Sequence, residues 1–433
     1  MRQELPLSST VATIAEHPTK GRRGLVVAIG VALIFRLTAC WFWMDELTID
    51  RDAYLGIARN ITAGQGFCSP ESHTPTAFRP PVFPILIGIV RFGLPEAVAV
   101  AVINIAAGLA TVWAAWLLVE LWWQPALWKK VAAATAVAVD PLLLRYSAQP
   151  MTECVFTALT VWTLVGVTRL WFDPRAPWQV ALFTGIVAGL AALCRPTLYP
   201  LIGLMLLCLL FVAPRLSFKE YRYRQAAIYA LAASAIIALW AGRNLVVLDE
   251  PLLTTTHGGY TLLLGNNPVF YEEVARKPWG TVWGYDSLVR WQASIATDLQ
   301  DDLGDHVNEV AADRWHSQRA WKAIQADPVG FRAAVAYRVR SFWSLAPRGP
   351  EALNRGLSTM VAGWYATLFM LAAMGFFNAV RQHSAAAWIG GLLIATVAAL
   401  HLLYWTDTRM RAPLHPVLVA FAAGAGAVKR MRP

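Results

Sequence analysis

Apolar residues gather along this chain in long blocks separated by short polar connections. The blocks cover about 24–43, 95–120, 130–148, 151–171, 177–194, 197–213, 225–242, 356–379, 385–404 and 412–428. Most approach the roughly 20 residues that carry a helix across a bilayer, so the pattern predicts about ten membrane helices. Pro141, Gly185, Gly189 and Pro200 fall inside blocks. Neighbouring helices tolerate such residues by re-satisfying the backbone. The first block follows a polar leader ending in Lys20, Arg22 and Arg23. Its Leu37-Thr38-Ala39-Cys40 looks like a lipoprotein cleavage box, but Arg36 interrupts the run and many blocks follow, so an uncleaved signal-anchor helix is expected.

Composition agrees with a membrane protein. The 433 residues are 57% hydrophobic and 15% charged, with 20 Trp; soluble domains carry about 25% charged residues. The net charge of +10 has an orientation reading rather than a nucleic-acid one. With the N-terminus in the cytoplasm, alternate connections hold Lys129 and Lys130; Arg169 and Arg175; Arg215, Lys219, Arg222 and Arg224; Arg381; and Lys429, Arg430 and Arg432. Basic cytoplasmic loops fix topology, and an even span count returns both termini to that side. The five cysteines are scattered and form no CxxC pair, so neither a zinc ribbon nor a disulfide framework is suggested.

Two long outer regions remain, 44–94 and 244–354. The second has a soluble composition: residues 251–350 hold ten acids and ten bases. Asp298, Asp301, Asp302, Asp305, Glu309 and Asp313 alternate there with apolar positions at helical spacing. Asp327-Pro328 opens a further helix towards Trp343, since Pro suits a first turn. The expected division is a transmembrane region 1–243, an extracytoplasmic domain 244–354 and a second transmembrane region 355–433.

The first outer loop crowds Asp45, Glu46, Asp50 and Asp52 just past the first helix. Asp50 and Tyr54, four apart, share a face if both are helical. Gly64-Gln65-Gly66 ends this piece, and Arg79-Pro80-Pro81 makes a stiff extended turn. The short apolar piece 82–90 re-enters or lies flat. Glu153, Arg195-Pro196, Arg243-Asn244 and Asp407-Thr408-Arg409-Met410-Arg411 mark further helix ends on the same side. Two readings apply. Acids and bases at helix ends are commonly a solvated or snorkelling face, and Glu153 suits a helix N-terminus. Alternatively, a carboxylate removes a proton from a hydroxyl while arginines hold an anionic leaving group.

The ordered motifs resemble one family. Asp50-x-x-x-Tyr54-x-x-x-Ala58-Arg59-Asn60, Gly64-x-Gly66-Phe67 and Pro75-Thr76-Ala77-Phe78-Arg79-Pro80-Pro81-x-x-Pro84 are similar to the first outer loop of polyprenyl-phosphate-dependent glycosyltransferases. These are the integral-membrane GT-C enzymes, which include the aminoarabinose transferases of lipid A and the protein O-mannosyltransferases. Pro150-Met151-Thr152-Glu153, Gly189-Leu190-Ala191-Ala192-Leu193-Cys194-Arg195-Pro196-Thr197, Trp240-x-x-Arg243-Asn244, Gly258-Gly259-Tyr260, Gly265-Asn266-Asn267-Pro268 and Asp407-Thr408-Arg409-Met410-Arg411-Ala412-Pro413 continue it in order.

The resemblance implies an all-α polytopic bundle, with surface helices in the first outer loop and a small, mostly helical extracytoplasmic domain. It implies an inverting transferase of the cell (inner) membrane, working on the outer side from a sugar on undecaprenyl or dolichyl phosphate. The acceptor is a lipid, protein or glycan, and no nucleic acid is involved. Asp50 takes the place of the general base, with Asp52 as second choice. Arg79, Arg409 and Arg411 take the place of donor-phosphate contacts, with Arg243 a weaker one. Tyr54, Glu153, Arg195 and His257 are further candidates. Met410 stands where the family usually has Tyr. Some relatives hold a divalent metal, for which Glu46, Glu153, His73 and His257 are candidate ligands. They lack tight ligand spacing, and no metal is expected to be required. A transporter or lipid flippase is the rival class, but such proteins often show inverted repeats and broken midplane helices, which this sequence does not display.

Overall fold

The computed structural model describes residues 17–173, 175–212, 219–304, 307–348 and 353–426. Arg215, Lys429, Arg430 and Arg432, read above as cytoplasmic, lie outside these residues, as does Asp305. The described chain is helical, and its one β-type pairing is an isolated bridge between Cys68 and Pro75.

Among the described residues each apolar block is mainly helical, but the blocks do not become ten full-length spans. Among the described residues five helices are long and apolar enough to cross a membrane: Gly21–Phe42, Glu96–Trp123, Glu153–Phe172, Glu220–Leu248 and Arg355–Arg381. Val82–Arg91, Trp178–Cys194, Pro196–Val212 and Ala385–Leu400 are apolar but shorter. The block 130–148 is broken: Leu127–Ala138 ends and Pro141–Ser147 begins anew. Asp140 causes the break, because its carboxylate accepts from the amides of Leu142 and Leu143 and caps the second helix.

The long helices turn large apolar side chains outward. Val26, Ile34, Leu37, Leu231, Leu239, Met360 and Met370 are all more than half exposed. Exposed apolar side chains along helices of this length suit a membrane interior. Inside, small residues allow close approach. A Cβ on Gly185 would stand 2.4 Å from the Tyr229 carbonyl, and one on Gly189 would stand 2.9 Å from that of Ala233. This Gly-x-x-x-Gly spacing seats Trp178–Cys194 against Lys219–Leu248. Arg36, the interruption in the first block, is buried and donates to the Ala138 carbonyl. It lies where Gly108 has no side chain.

Residues 258–342 build a second core from Leu262, Leu263, Phe270, Tyr271, Trp283, Trp291 and Trp315. Its helices include Tyr285–Leu303, Glu309–Ala326 and Pro328–Phe342. The last starts as expected, with Asp327 capping the Gly330 amide. Leu403, Tyr404 and Trp405 pack onto the same core, so the turn before residue 408 is anchored to this segment.

Candidate functional site

The site begins in a tight turn. Helix Tyr54–Thr62 starts four residues later than the shared-face reading of Asp50 and Tyr54 required. Ala53 precedes it in left-handed backbone, φ 62°. Asp50 therefore does not line a helix face with Tyr54. Its carboxylate instead accepts from the amides of Leu55 (3.1 Å) and Gly56 (2.7 Å), two otherwise unpaired donors at the helix start. Asp52, on the outside of the turn, is the acid presented to the arginines.

Arg79 is fixed from three directions. Glu309 accepts from the Thr76 hydroxyl and from the Ala77 amide, each at 2.6 Å. The Thr256 amide donates to the Ala77 carbonyl. Arg243 donates to the carbonyls of Thr76 and Phe67, both at 2.8 Å. With 76–78 so clamped, the Arg79 guanidinium lies 4.8 Å from the Phe78 ring centroid and 5.7 Å from that of Tyr54. It donates to Asp52 Oδ1 at 2.9 Å.

Arg409 arrives from the far end of the chain. Asp407 caps its backbone amide at 2.9 Å and lies 3.1 Å from its Nε. Arg409 Nη1 stands 3.9 Å from Asp52 Oδ2. Burial disfavours charge on Arg409, but Asp407, Glu153 and Asp52 outweigh it and raise its pKa. Arg195, just past helix Trp178–Cys194, donates to the fully buried Glu153 at 3.2 Å and to the Met410 sulfur at 3.3 Å. Tyr54 is buried, which raises its pKa, and it feels Arg79, Asp52, Arg195 and Glu153 together. Arg79, Arg195 and Arg409 thus meet Asp52, Glu153 and Asp407 at one place, three cations with three anions. Each guanidinium has five N–H donors, and the buried Nε of Arg79 has no partner.

Two predicted phosphate contacts lie elsewhere. Arg243 spends its donors on the loop carbonyls and packs over Phe67 and Trp240. Arg411 is buried beneath Tyr365 and Phe369. It donates to the carbonyls of Phe342 and Ser344 and to His415 Nε2. An arginine only donates, so His415 carries its proton on Nδ1, towards Asp140 at 2.9 Å. Tyr365 also donates to Asp140. This buried network holds the end of the 408–414 turn, not the cluster itself.

His257 sits behind Arg79, packed between Phe78 and Tyr260. Burial, and then the nearby Arg79 charge, push its pKa down to about 3. The four candidate metal ligands do not converge. Glu46 is held by Arg145 and Gln149, Glu153 by Arg195, His257 by its ring contacts, and His73 is exposed at φ 54°. Among the described residues no group of three His, Cys, Asp or Glu side chains is placed to hold a metal.

Three neighbours of the cluster are not among the candidate site residues read from the sequence. Asp407 was visible as an acid two residues before an arginine, a capping signal. Glu309 looked like one more acid of a soluble helix. Tyr146, which acts electrostatically on Arg409, lies inside an apolar block and carries no signal.

No family model matches the chain, and no curated protein matches its sequence. Known structures do. The archaeal oligosaccharyltransferase AglB from Archaeoglobus fulgidus, in complex with an inhibitory peptide and a dolichol-phosphate, superposes at TM-score 0.52 and 12% identity, covering 94% of this chain and 50% of that one. The oligosaccharyltransferase of the same organism in complex with Zn and sulfate gives TM-score 0.50 and 12% identity, covering 93% and 48%. ArnT from Cupriavidus metallidurans bound to undecaprenyl phosphate gives TM-score 0.39 and 12% identity, covering 93% and 77%. The chain has the fold of the archaeal oligosaccharyltransferase. It spans about half the length of that structure.

Proposed function

We propose that this protein is an inverting glycosyltransferase that moves a sugar from a polyprenyl-phosphate donor to an acceptor hydroxyl at the outer face of the cell membrane, with both termini in the cytoplasm. The observation that carries this reading is the meeting of Arg79 and Arg409 on Asp52. The fold shared with an oligosaccharyltransferase favours transfer over the transporter alternative.

The donor phosphate enters among Arg79, Arg195 and Arg409 and exchanges with the carboxylates that neutralise them. Guanidinium edges match phosphate oxygens in pairs. Exchange releases Asp52 from its ion pairs, so it accepts the acceptor's proton. The acceptor oxygen then bonds to the anomeric carbon from the face opposite the phosphate. The bond from that carbon to the phosphate oxygen breaks, and its electron pair leaves on the phosphate, where the arginines stabilise it. Asp50 keeps the turn in shape, and Arg243 and Arg411 hold the segments that carry the cations. The extracytoplasmic segment, whose Glu309 and Thr256 hold the loop before Arg79, takes part in acceptor choice, the acceptor being a lipid, protein or glycan. The Zn-containing oligosaccharyltransferase structure makes a divalent metal worth testing, by assay with and without chelator, although the residues here provide no assembled ligand set.

Mass analysis of polyprenyl-linked sugars and envelope glycans in cells lacking the protein tests the reading. A lost glycan modification with accumulated donor is expected. Unchanged donors and glycans, with purified protein inactive on polyprenyl-phosphate sugars, would overturn it.

A further inference from the structure

A cavity lined by none of the cluster residues lies beside helix Pro328–Phe342. It has a volume of about 620 Å³, and its lining includes Trp279, Arg340, Trp343, Ser344, Arg348 and Ser358. Among the described residues, two cations and no carboxylate line it.

Its position relative to the membrane follows from one residue. Ser358 belongs to the first turn of Arg355–Arg381, a helix long and apolar enough to cross a bilayer. Leu357 and Met360, on either side of it, are 44% and 73% exposed. The opposite wall comes from the end of helix Pro328–Phe342 and the segment after it. The cavity therefore sits where the water-facing segment meets the lipid-facing helix. Tryptophan favours that depth.

The chemistry of the lining is selective. The Arg348 guanidinium lies 3.9 Å from the centroid of the Trp279 ring, and that of Arg340 lies 6.0 Å from the same ring. Contact over the ring occupies a face of each guanidinium and leaves the in-plane N–H donors free. Two forks of donors, a serine hydroxyl and apolar lips at Val339 and Leu345 fit a phosphate that hangs from acyl chains. We propose that this cavity binds the phosphate headgroup of a membrane lipid and docks the segment 258–348 on the bilayer. The proposal does not depend on the transferase reading.

Full-length protein in detergent, titrated with dioleoylphosphatidylglycerol or phosphatidylcholine and followed by native mass spectrometry, tests it. Wild type should retain the anionic lipid preferentially. The R340Q/R348Q variant should bind it about tenfold more weakly or worse, since two charge-assisted contacts are lost. R314Q, at an exposed arginine paired with Glu250, should bind as wild type. Equal retention of both lipids by wild type, or undiminished binding in R340Q/R348Q, would overturn the proposal. Should the glutamine variant fail to fold, R340K/R348K keeps the charge without the fork. It should prefer the anionic lipid with weaker affinity, and loss of all discrimination by wild-type affinity for both lipids would count against the site. Dodecyl phosphate separates the sources: stronger binding than phosphatidylglycerol assigns the cavity to a lipid ending in a phosphomonoester, and equal binding assigns it to bulk anionic phospholipid.

Discussion

Asp52 accepts from Arg79 at 2.9 Å and faces Arg409 at 3.9 Å with its other oxygen. One carboxylate thus joins two arginines separated by most of the chain. Asp50, two residues earlier, points into the helix start instead. The two acids therefore have different consequences when neutralised.

Asp52→Asn keeps the shape of the side chain and removes the proposed base. Sugar transfer by purified protein should fall by about a hundredfold or more, the range for loss of a general base, with folding intact. Asp50→Asn should cost about 1 kcal/mol of stability through the weakened cap and leave most of the transfer rate. The reverse ranking in a steady-state assay would return the base to Asp50.

Arg409→Lys and Arg195→Lys keep a charge and lose the planar fork. Donor affinity should weaken by roughly tenfold in each, because a charge-assisted pair contributes more than one kcal/mol. Arg411→Lys disturbs a buried network rather than the cluster and should reduce thermal stability before it changes apparent donor affinity. Donor KM and unfolding temperature, measured on all three, separate these effects.

The helices were legible because apolar blocks of bilayer length have few alternatives, and Arg79, Arg195 and Arg409 were visible as cations at the ends of blocks. The contacts of Asp50 were not legible. Four-residue spacing means a shared face only inside a helix, and the left-handed Ala53 that delays the helix has no mark in sequence. The surroundings of Arg411 were hidden for a related reason. It sits two residues from Arg409 in a tight 3-10 turn, so neighbours in sequence point to different surroundings. Asp140 was hidden because one acid inside an apolar block reads as noise until its partner, 275 positions away, is seen.

That partner supports a stability prediction. Asp140 and His415 are both fully buried and lie 2.9 Å apart. His415→Ala leaves the carboxylate with Tyr365 and two backbone amides but without its closest partner. Loss of a hydrogen bond to a buried carboxylate costs about 1.5–3 kcal/mol. His415→Ala should unfold in detergent at clearly lower temperature. Combined with Asp140→Asn, the loss should be much smaller than the sum of the single losses, as expected for residues in contact. Additive losses would show that the two do not act as a pair.

His257 makes a pH prediction with a definite sign. Burial, and then the charge of Arg79, push its pKa from 6.5 down to about 3. His316, on the other side of Tyr260, is lowered too, mainly by burial. A histidine held neutral in the folded chain but free to protonate when unfolded makes the unfolded state bind more protons, so stability rises with pH through that window. The contribution is complete above about 6.5 and is lost as pH falls towards about 3. Between about pH 7 and pH 5 the loss from His257 alone should approach 2 kcal/mol. Unfolding of the wild type and of His257→Phe, followed across that range, reads it directly. The wild type should lose more stability than the variant, because Phe keeps the ring contacts with Phe78 and Tyr260 and removes the titrating group. Equal slopes would mean that His257 protonates in the folded protein, in which case the packing behind Arg79 opens in solution.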